Sequence, residues 1–186
     1  MHKVTIIGDS ISMAYGPVVK EQLTGWAEVW QPEENGGTSA HVLEHLDEWA
    51  IDRGADVIHL NCGLHDLAID DGVNHRIELP QYAANLRTIL TRLRERTSAK
   101  LIWATITPVV DERHAATKEF LRKEADVERY NAAAREMAEG LSIDDLHAVI
   151  AAHGVLTGVC EDGVHMTEQG NLFLVDAVEK AIRAAL

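Results

Sequence analysis

Short apolar segments alternate with helical patterns along almost the whole chain, and this alternation restricts the fold more than any other feature. Five segments have the length and composition of strands: Val4–Ile7, Ala27–Trp30, Asp56–Leu60, Lys100–Ile106 and, more weakly, Leu141–Ile143. Three of them are nearly continuous in apolar residues, as expected of strands that are buried on both faces. We therefore expect an α/β fold in which helices cover both faces of a parallel sheet.

The segments between the strands carry apolar residues at helical spacing, which is typical of helices packed on a sheet. Three stripes are clear: Val42, Leu46, Trp49 and Ala50; Tyr82, Leu86, Ile89, Leu90 and Leu93; and, in a final helix over residues 168–185, Leu172, Val175, Val178 and Ile182. The chain has no internal repeat, low-complexity tract or Pro/Gly-rich linker. A single domain over residues 1–186 is the simplest interpretation.

Charge and composition exclude several classes of partner. With 17 Lys+Arg against 30 Asp+Glu, the net charge is -13, which argues against nucleic-acid binding. The same charge disfavours an anionic membrane surface or a polyanionic substrate, although a local basic patch can override the global sign. No apolar run is long enough for membrane insertion, and no signal-peptide region precedes the first strand. We expect a cytoplasmic protein in which Cys62 and Cys160 are free thiols.

Small polar motifs follow the predicted strands, where an open parallel sheet places its ligands. Gly8-Asp9-Ser10 follows the first strand, a segment over residues 35–39 the second, and one over residues 61–66 the third. Asp162-Gly163-Val164-His165 precedes the last helix. Each motif alone can be explained by a tight turn or a helix cap, without a catalytic role. Together they supply what acyl transfer needs: a hydroxyl nucleophile, a base, an orienting carboxylate and backbone donors.

The spacing of Asp162 and His165 suits a catalytic pair. Three residues apart in a turn, Asp162 can accept the Nδ1–H of His165 and determine its tautomer. The Nε2 atom of His165 is then free to take the proton of Ser10. A pair of this spacing is weak evidence by itself, since it also occurs at surface turns and helix starts.

The chain resembles the SGNH (GDSL-like) hydrolases over almost its whole length. Their four blocks occur in order: Gly8-Asp9-Ser10; Gly36 within Gly36-Gly37-Thr38-Ser39; Gly63-Leu64-His65-Asp66; and Asp162 with His165. The resemblance implies a flavodoxin-like α/β/α sandwich around a five-stranded parallel sheet, no cofactor, and hydrolysis of a small-molecule ester or thioester. It also implies that Ser10 is the nucleophile, and that the backbone N–H groups of Ser10 and Gly36 form part of the oxyanion hole.

The third block departs from the family pattern, because Gly63-Leu64-His65-Asp66 stands where the family has Gly-x-Asn-Asp. The family's asparagine side chain is the third oxyanion donor. We expect His65 to take this role, while Asn61 and Asn35 are nearby alternatives. The substitution also keeps open a catalytically silent domain that binds a carbohydrate or acyl ligand.

These motifs predict a serine hydrolase that cleaves carboxylic esters through an acyl-enzyme. We expect short acyl groups, acetyl in particular and on a carbohydrate, because the chain is acidic and has no long apolar lid segment. A thioesterase or a lysophospholipase on the same triad is the nearest alternative. Residues 67–78 and 109–114 are the loops expected to line the pocket. The oligomeric state stays open.

A metal site is not expected. His41 and His45 are four residues apart, and Glu44, Asp47 and Glu48 lie nearby, but the HExxH pattern is missing. A solvated helix face explains these residues without a metal.

Overall fold

The computed structural model describes the chain from Met1 to Leu186. Its strands are β1 (His2–Ile7), β2 (Ala27–Trp30), β3 (Val57–Leu60), β4 (Lys100–Ala104) and β5 (Ser142–Asp144). They form one five-stranded sheet in the order β2-β1-β3-β4-β5, and every neighbouring pair is parallel. All five strands lie close to the segments predicted from the sequence.

Two groups of helices cover the sheet. The helices are α1 (Ser10–Gln22), α2 (Ser39–Glu44), α3 (Leu46–Trp49), α4 (Leu79–Arg96), α5 (Asp111–Thr117), α6 (Glu124–Met137), α7 (Leu146–His153), α8 (Val155–Gly158) and α9 (Glu168–Ala185). Helices α1, α7, α8 and α9 pack on one another, and α2, α4 and α6 form the second group. Connections between parallel strands are right-handed in nearly all proteins, and this rule puts the two groups on opposite faces of the sheet. The architecture is the predicted three-layer α/β/α class.

The core lies between the sheet and the two helical layers. Val57, Ile58 and Leu60 of β3 are all at most 1% exposed, because β3 has a helical layer on each side. The apolar stripes of α4 and α9 meet this surface. None of the helices is both long and apolar enough to cross a membrane.

The structure corrects three details of the predicted elements. Strand β4 ends at Ala104 and not at residue 106, because the Ile106 N–H donates to the Asn131 side chain and leaves the ladder. The helix predicted over residues 42–50 is interrupted at His45, between α2 and α3. In α9 Leu172 is 43% exposed, while Leu174 is buried in its place.

Candidate active site

Ser10 is the first residue of α1, at the carboxyl edge of the sheet where β1 ends. The local sequence explains this position: Asp9 is the N-cap of α1, and its Oδ1 accepts the Ile11 N–H at 2.9 Å. Because a helix leaves its first N–H groups without intrahelical partners, the Ser10 amide is among those available to a ligand. The Ser10 hydroxyl and the Ser10 backbone N–H are therefore both accessible to a ligand at the N-terminus of α1.

The three residues expected to form a triad are brought together from opposite ends of the chain. The Oγ of Ser10 lies 2.9 Å from Nε2 of His165. The Nδ1 of His165 lies 2.5 Å from Oδ2 of Asp162. With Nδ1–H donating to the carboxylate, Nε2 is an acceptor for the Ser10 hydroxyl proton. The geometry is therefore suited to general-base activation of Ser10.

Asp162 is held as a carboxylate by its own turn. Its Oδ1 accepts the backbone N–H groups of Val164 and His165, each at 3.0 Å. Partial burial raises the pKa of Asp162, but hydrogen bonds from the His165 ring and these two amides outweigh it and lower the pKa to about 2. The negative charge that orients the imidazole is thus present throughout the neutral range.

Gly163, inside this turn, has no room for a side chain. It has φ +76°, and a Cβ at this position would lie 2.5 Å from the His114 backbone nitrogen. The Gly163 carbonyl also accepts the Val110 N–H at 2.8 Å. The turn that carries Asp162 therefore packs closely against the start of α5. This packing restricts the position of Asp162 relative to Ser10.

Gly36 lies next to the Ser10 turn, but its N–H is already occupied. That N–H donates to the Gly8 carbonyl at 3.0 Å, and a Cβ on Gly36 would lie 2.7 Å from the same oxygen. The neighbouring Gly37 N–H donates to the Asn35 side chain at 2.9 Å. Close packing on Gly8 accounts for glycine here, and the expected role of Gly36 as an oxyanion donor requires its N–H to leave Gly8.

His65 lies at the site without a hydrogen-bond partner on either ring nitrogen. Burial lowers the pKa of His65, and the charges of Arg122, Arg76 and His165 lower it further, although Asp9 opposes them. His65 is therefore the neutral imidazole near neutral pH, with one N–H to donate and no protein group selecting which nitrogen carries it.

The two asparagines considered as replacements for the family's donor each make another hydrogen bond, although that of Asn35 leaves its amide N–H groups free. The Asn61 side-chain N–H donates to the Ala104 carbonyl at 2.9 Å, and the Asn35 side-chain oxygen accepts the Gly37 N–H. Among the three side chains proposed from the sequence as this donor, His65 is the one that makes no hydrogen bond at all.

A buried carboxylate joins the second and third blocks. Asp66 is fully buried and accepts the N–H of Ser39 at 2.9 Å and also the Ser39 hydroxyl. Asn85 donates to that hydroxyl at 2.9 Å. Burial raises the pKa of Asp66 to about 6 against the lowering effect of the Ser39 hydrogen bonds. This contact holds the loop that carries Gly36 against the loop that carries His65.

The residues with metal-ligating side chains near the second block are His41, His45 and Glu34, a glutamate that sequence analysis did not include. Their ligand atoms lie within 4.8 Å of one another. Trp49 packs on both imidazoles, with its ring 4.7 Å from that of His45 and 5.4 Å from that of His41. Aromatic packing accounts for this cluster, and the expectation of no metal stays a prediction.

Arg122 lies beside the third block, and sequence analysis missed it. Its Nε donates to the Leu64 carbonyl at 2.8 Å, one residue before His65, although the two positions are 58 residues apart in sequence. No motif marks this arginine, because it approaches the site from the segment between α5 and α6. Burial can be anticipated for apolar stripes, but contacts between distant loops depend on tertiary structure.

The fold and this hydrogen-bonded serine, histidine and aspartate define a hydrolase-type α/β protein with its candidate nucleophile at a strand end. The chain belongs to the GDSL-like lipase/acylhydrolase family, whose sequence profile matches residues 6–172. It is therefore an esterase of the SGNH type. No curated protein sequence matches the chain significantly.

Solved structures of low sequence identity share the fold. A lipase/acylhydrolase from Enterococcus faecalis has a TM-score of 0.82 and 21% identity, with 99% of this chain and 96% of that chain covered. An acetyl xylan esterase, AlAXEase, has a TM-score of 0.77 and 20% identity, covering 97% and 99% of the two chains. An acetylxylan esterase from Geobacillus stearothermophilus has a TM-score of 0.78 and 18% identity, covering 97% and 94%.

Proposed function

We propose that Ser10, His165 and Asp162 hydrolyse a carboxylic ester in two steps, through an acyl-enzyme on Ser10. The observation that carries this proposal is the continuous contact from Ser10 Oγ to His165 Nε2, at 2.9 Å, and from His165 Nδ1 to Asp162, at 2.5 Å. The whole chain is proposed to act as one catalytic domain. The cytoplasmic location expected from the sequence stays a prediction.

In the first step the Ser10 oxygen attacks the ester carbonyl while His165 Nε2 takes the hydroxyl proton. The tetrahedral oxyanion is stabilised by the Ser10 N–H and by His65 as a neutral donor. Protonated His165 then gives its proton to the departing alkoxide, and the alcohol leaves. Asp162 stays ionised and stabilises the imidazolium.

In the second step water replaces the alcohol. His165 Nε2 removes a proton from the water, and the hydroxide oxygen attacks the acyl carbonyl on Ser10. Collapse of the second tetrahedral intermediate returns the proton from His165 to Ser10 and releases the carboxylic acid. The Gly36 N–H joins the oxyanion donors only if it leaves the Gly8 carbonyl, to which it donates in the structure.

The proposed substrate class is an ester with a short, acetyl-type acyl group, on a carbohydrate. Two of the structural neighbours are acetyl xylan esterases, and this supports an acylated sugar as the alcohol part. A series of p-nitrophenyl esters from acetyl to octanoyl, together with acetylated xylo-oligosaccharide and acyl-CoA, tests the class. Fastest turnover of long acyl chains or of acyl-CoA would instead assign the lysophospholipase or thioesterase alternative.

The nucleophile is tested with a matched pair of serine variants. Ser10→Ala should reduce ester hydrolysis by several orders of magnitude with the fold intact. Ser12→Ala is the control, because the Ser12 hydroxyl donates to the Asp9 carbonyl at 2.8 Å and not to His165. Near-native turnover by the Ser10→Ala protein would exclude the proposed mechanism.

A second candidate function is ligand binding without turnover. It is favoured by the Gly36 N–H, which is occupied by Gly8, and by His65 in place of the family's asparagine. Fluorophosphonate labelling discriminates between the two functions, since an activated serine reacts and an unactivated one does not. Labelling of the wild-type protein but not of Ser10→Ala would support the esterase.

A further inference from the structure

The segment between α5 and α6 packs against the loop of the third block and carries Arg122. Leu121 forms an antiparallel bridge with Ile69, and each N–H donates to the other carbonyl at 2.9 Å. The Arg122 Nε donates to the Leu64 carbonyl at 2.8 Å. These contacts hold the guanidinium beside the third block, next to His65.

The same segment also contacts the turn that carries Asp162. The Phe120 ring lies 4.9 Å from the Arg122 guanidinium and packs edge-on against the His114 ring at 5.2 Å. The His114 backbone lies directly against Gly163, as the missing space for a Cβ there shows. The Arg122 side chain is therefore joined to the His65 turn by a hydrogen bond, and to the Asp162 turn by packing through Phe120 and His114. An ester bound at Ser10 would meet both turns.

The charge of Arg122 has no anionic partner in the protein, and its guanidinium packs on the Phe120 ring. The residue is 7% exposed, no carboxylate lies within salt-bridge distance, and neither Nη group makes a hydrogen bond. Nearby Arg76 differs, because Asp70 accepts two hydrogen bonds from it at 2.7 Å. Burial lowers the pKa of Arg122 to about 10, with Asp9 opposing the shift, so the side chain stays protonated near neutral pH. A buried cation without a partner is costly unless a ligand satisfies it.

The surrounding acidic groups do not supply that partner. Asp9 attracts Arg122 from a distance, but its Oδ1 accepts the Ile11 N–H and it lies outside salt-bridge reach. Asp162 also attracts Arg122, but its oxygens bind His165 and its own turn. His65 is neutral and adds no charge of either sign. Arg122 therefore offers planar, unfilled N–H donors of the geometry that suits a carboxylate.

We propose that the Nη groups of Arg122 bind a carboxylate carried by the ester substrate close to its scissile bond. This inference rests on the proposed esterase function and narrows its substrate class to anionic esters, such as acylated sugar acids or half-esters of dicarboxylic acids. The global charge of -13 does not oppose it, because the subsite is a local cation within the pocket wall.

Matched ester pairs test the subsite. On the acyl side, p-nitrophenyl hemisuccinate is compared with p-nitrophenyl butyrate; on the alcohol side, 4-carboxyphenyl acetate is compared with phenyl acetate. In at least one pair we expect the wild-type protein to have a higher kcat/KM for the charged ester. Arg122→Gln should reduce the charged-to-neutral ratio about 10–100-fold, as expected for a lost hydrogen bond between charged groups. Arg122→Lys should keep part of the preference.

Arg76→Gln is the matched control, because it removes a nearby arginine whose charge Asp70 already neutralises. It should leave the charged-to-neutral ratio unchanged. The proposal is overturned if the wild-type protein prefers neither charged ester, if the preference survives Arg122→Gln, or if that variant slows both members of each pair equally. The last result would instead show that Arg122 supports the site without recognising charge.

A binding measurement separates this inference from the esterase proposal. Succinate should bind Ser10→Ala protein more tightly than neutral succinamide does in calorimetry, and Arg122→Lys should weaken that binding. If no ester is hydrolysed but succinate binds through Arg122, the esterase proposal fails and the subsite stands. If esters are hydrolysed and succinate binds no better than succinamide, the subsite is overturned alone. Arg122→Lys also provides the test if Arg122→Gln does not fold.

Discussion

The two sides of the candidate site have aspartates whose pKa values are shifted in opposite directions. On the Ser10 side, hydrogen bonds from His165 and local amides overcome burial and lower the pKa of Asp162 to about 2. On the oxyanion side, burial outweighs the Ser39 hydrogen bonds and raises the pKa of Asp66 to about 6. The turn around Asp162 stabilises the negative charge that orients His165. The contact between the two donor loops depends instead on Asp66, whose negative charge is destabilised by burial.

The largest effects should come from the side of the site that contains Asp162. We expect His165→Ala to lower kcat about 10⁴-fold or more, because no other group accepts the Ser10 proton. Asp162→Asn should be less damaging, since the imidazole stays but loses its preferred tautomer. Steady-state kinetics on the best ester measure both variants. Full activity of the His165→Ala protein, without added imidazole, would exclude His165 as the base.

On the oxyanion side, His65→Ala should lower kcat about 10²–10³-fold, which is the usual effect of losing one preorganised donor. His65→Asn should restore most of this loss, because an amide N–H donates whatever the tautomer of a ring would be. Parent-like kcat in the His65→Ala protein would show that the side chain only packs in its loop, and the oxyanion would then depend on backbone donors.

The ionisation of Asp66 should make stability depend on pH. Because the pKa of Asp66 is about 6 in the folded protein and near 3.9 when unfolded, the folded state holds its proton more tightly. The free energy of unfolding should therefore fall by about 2 kcal/mol as the pH rises from 4 to 7.

Urea unfolding of the wild-type protein and of Asp66→Asn isolates this contribution, since other titrating groups cancel in the difference. We expect the stability difference between wild type and variant to change with pH in the direction that disfavours the wild type at pH 7. A difference that stays constant between pH 4 and pH 7 would contradict the inference that Asp66 carries a costly buried charge.

The smallest effect is expected at Gly36. Its missing Cβ leaves room for the Gly8 carbonyl, so Gly36→Ala must displace backbone beside Ser10. We expect a stability loss of about 1–3 kcal/mol and a fall in kcat of at least about 10-fold. Gly140→Ala is the control, because that position has open space and costs only the strain of its φ of +80°. Equal losses of stability and of kcat in the Gly36→Ala and Gly140→Ala proteins would contradict the inference that Gly36 is required for close packing on Gly8.

Much of the layered architecture could be predicted from local patterns. Strand β2 and helix α9 lie at the predicted residues, because continuous apolar segments and helical stripes report burial directly. Strand β4 was predicted too long, because the sequence does not show that Asn131, 25 residues later, accepts the Ile106 N–H. The exposed Leu172 shows the same limit, since hydrophobicity alone does not choose between two leucines of one helix turn.

At the site, the sequence by itself determined the chemistry available: a serine at a strand end, an Asp–His pair in one turn, and a histidine where the family has asparagine. Each of these features is formed by residues close together in sequence, so its local structure does not depend on contacts with distant parts of the chain.

Only the tertiary structure decided how the distant loops meet. It placed the Gly36 N–H on Gly8, the Asn61 amide on Ala104, and an arginine without a charged partner beside Leu64. Each of these contacts joins positions far apart in sequence, and each hydrogen bond depends on where the competing donors and acceptors of the folded chain lie.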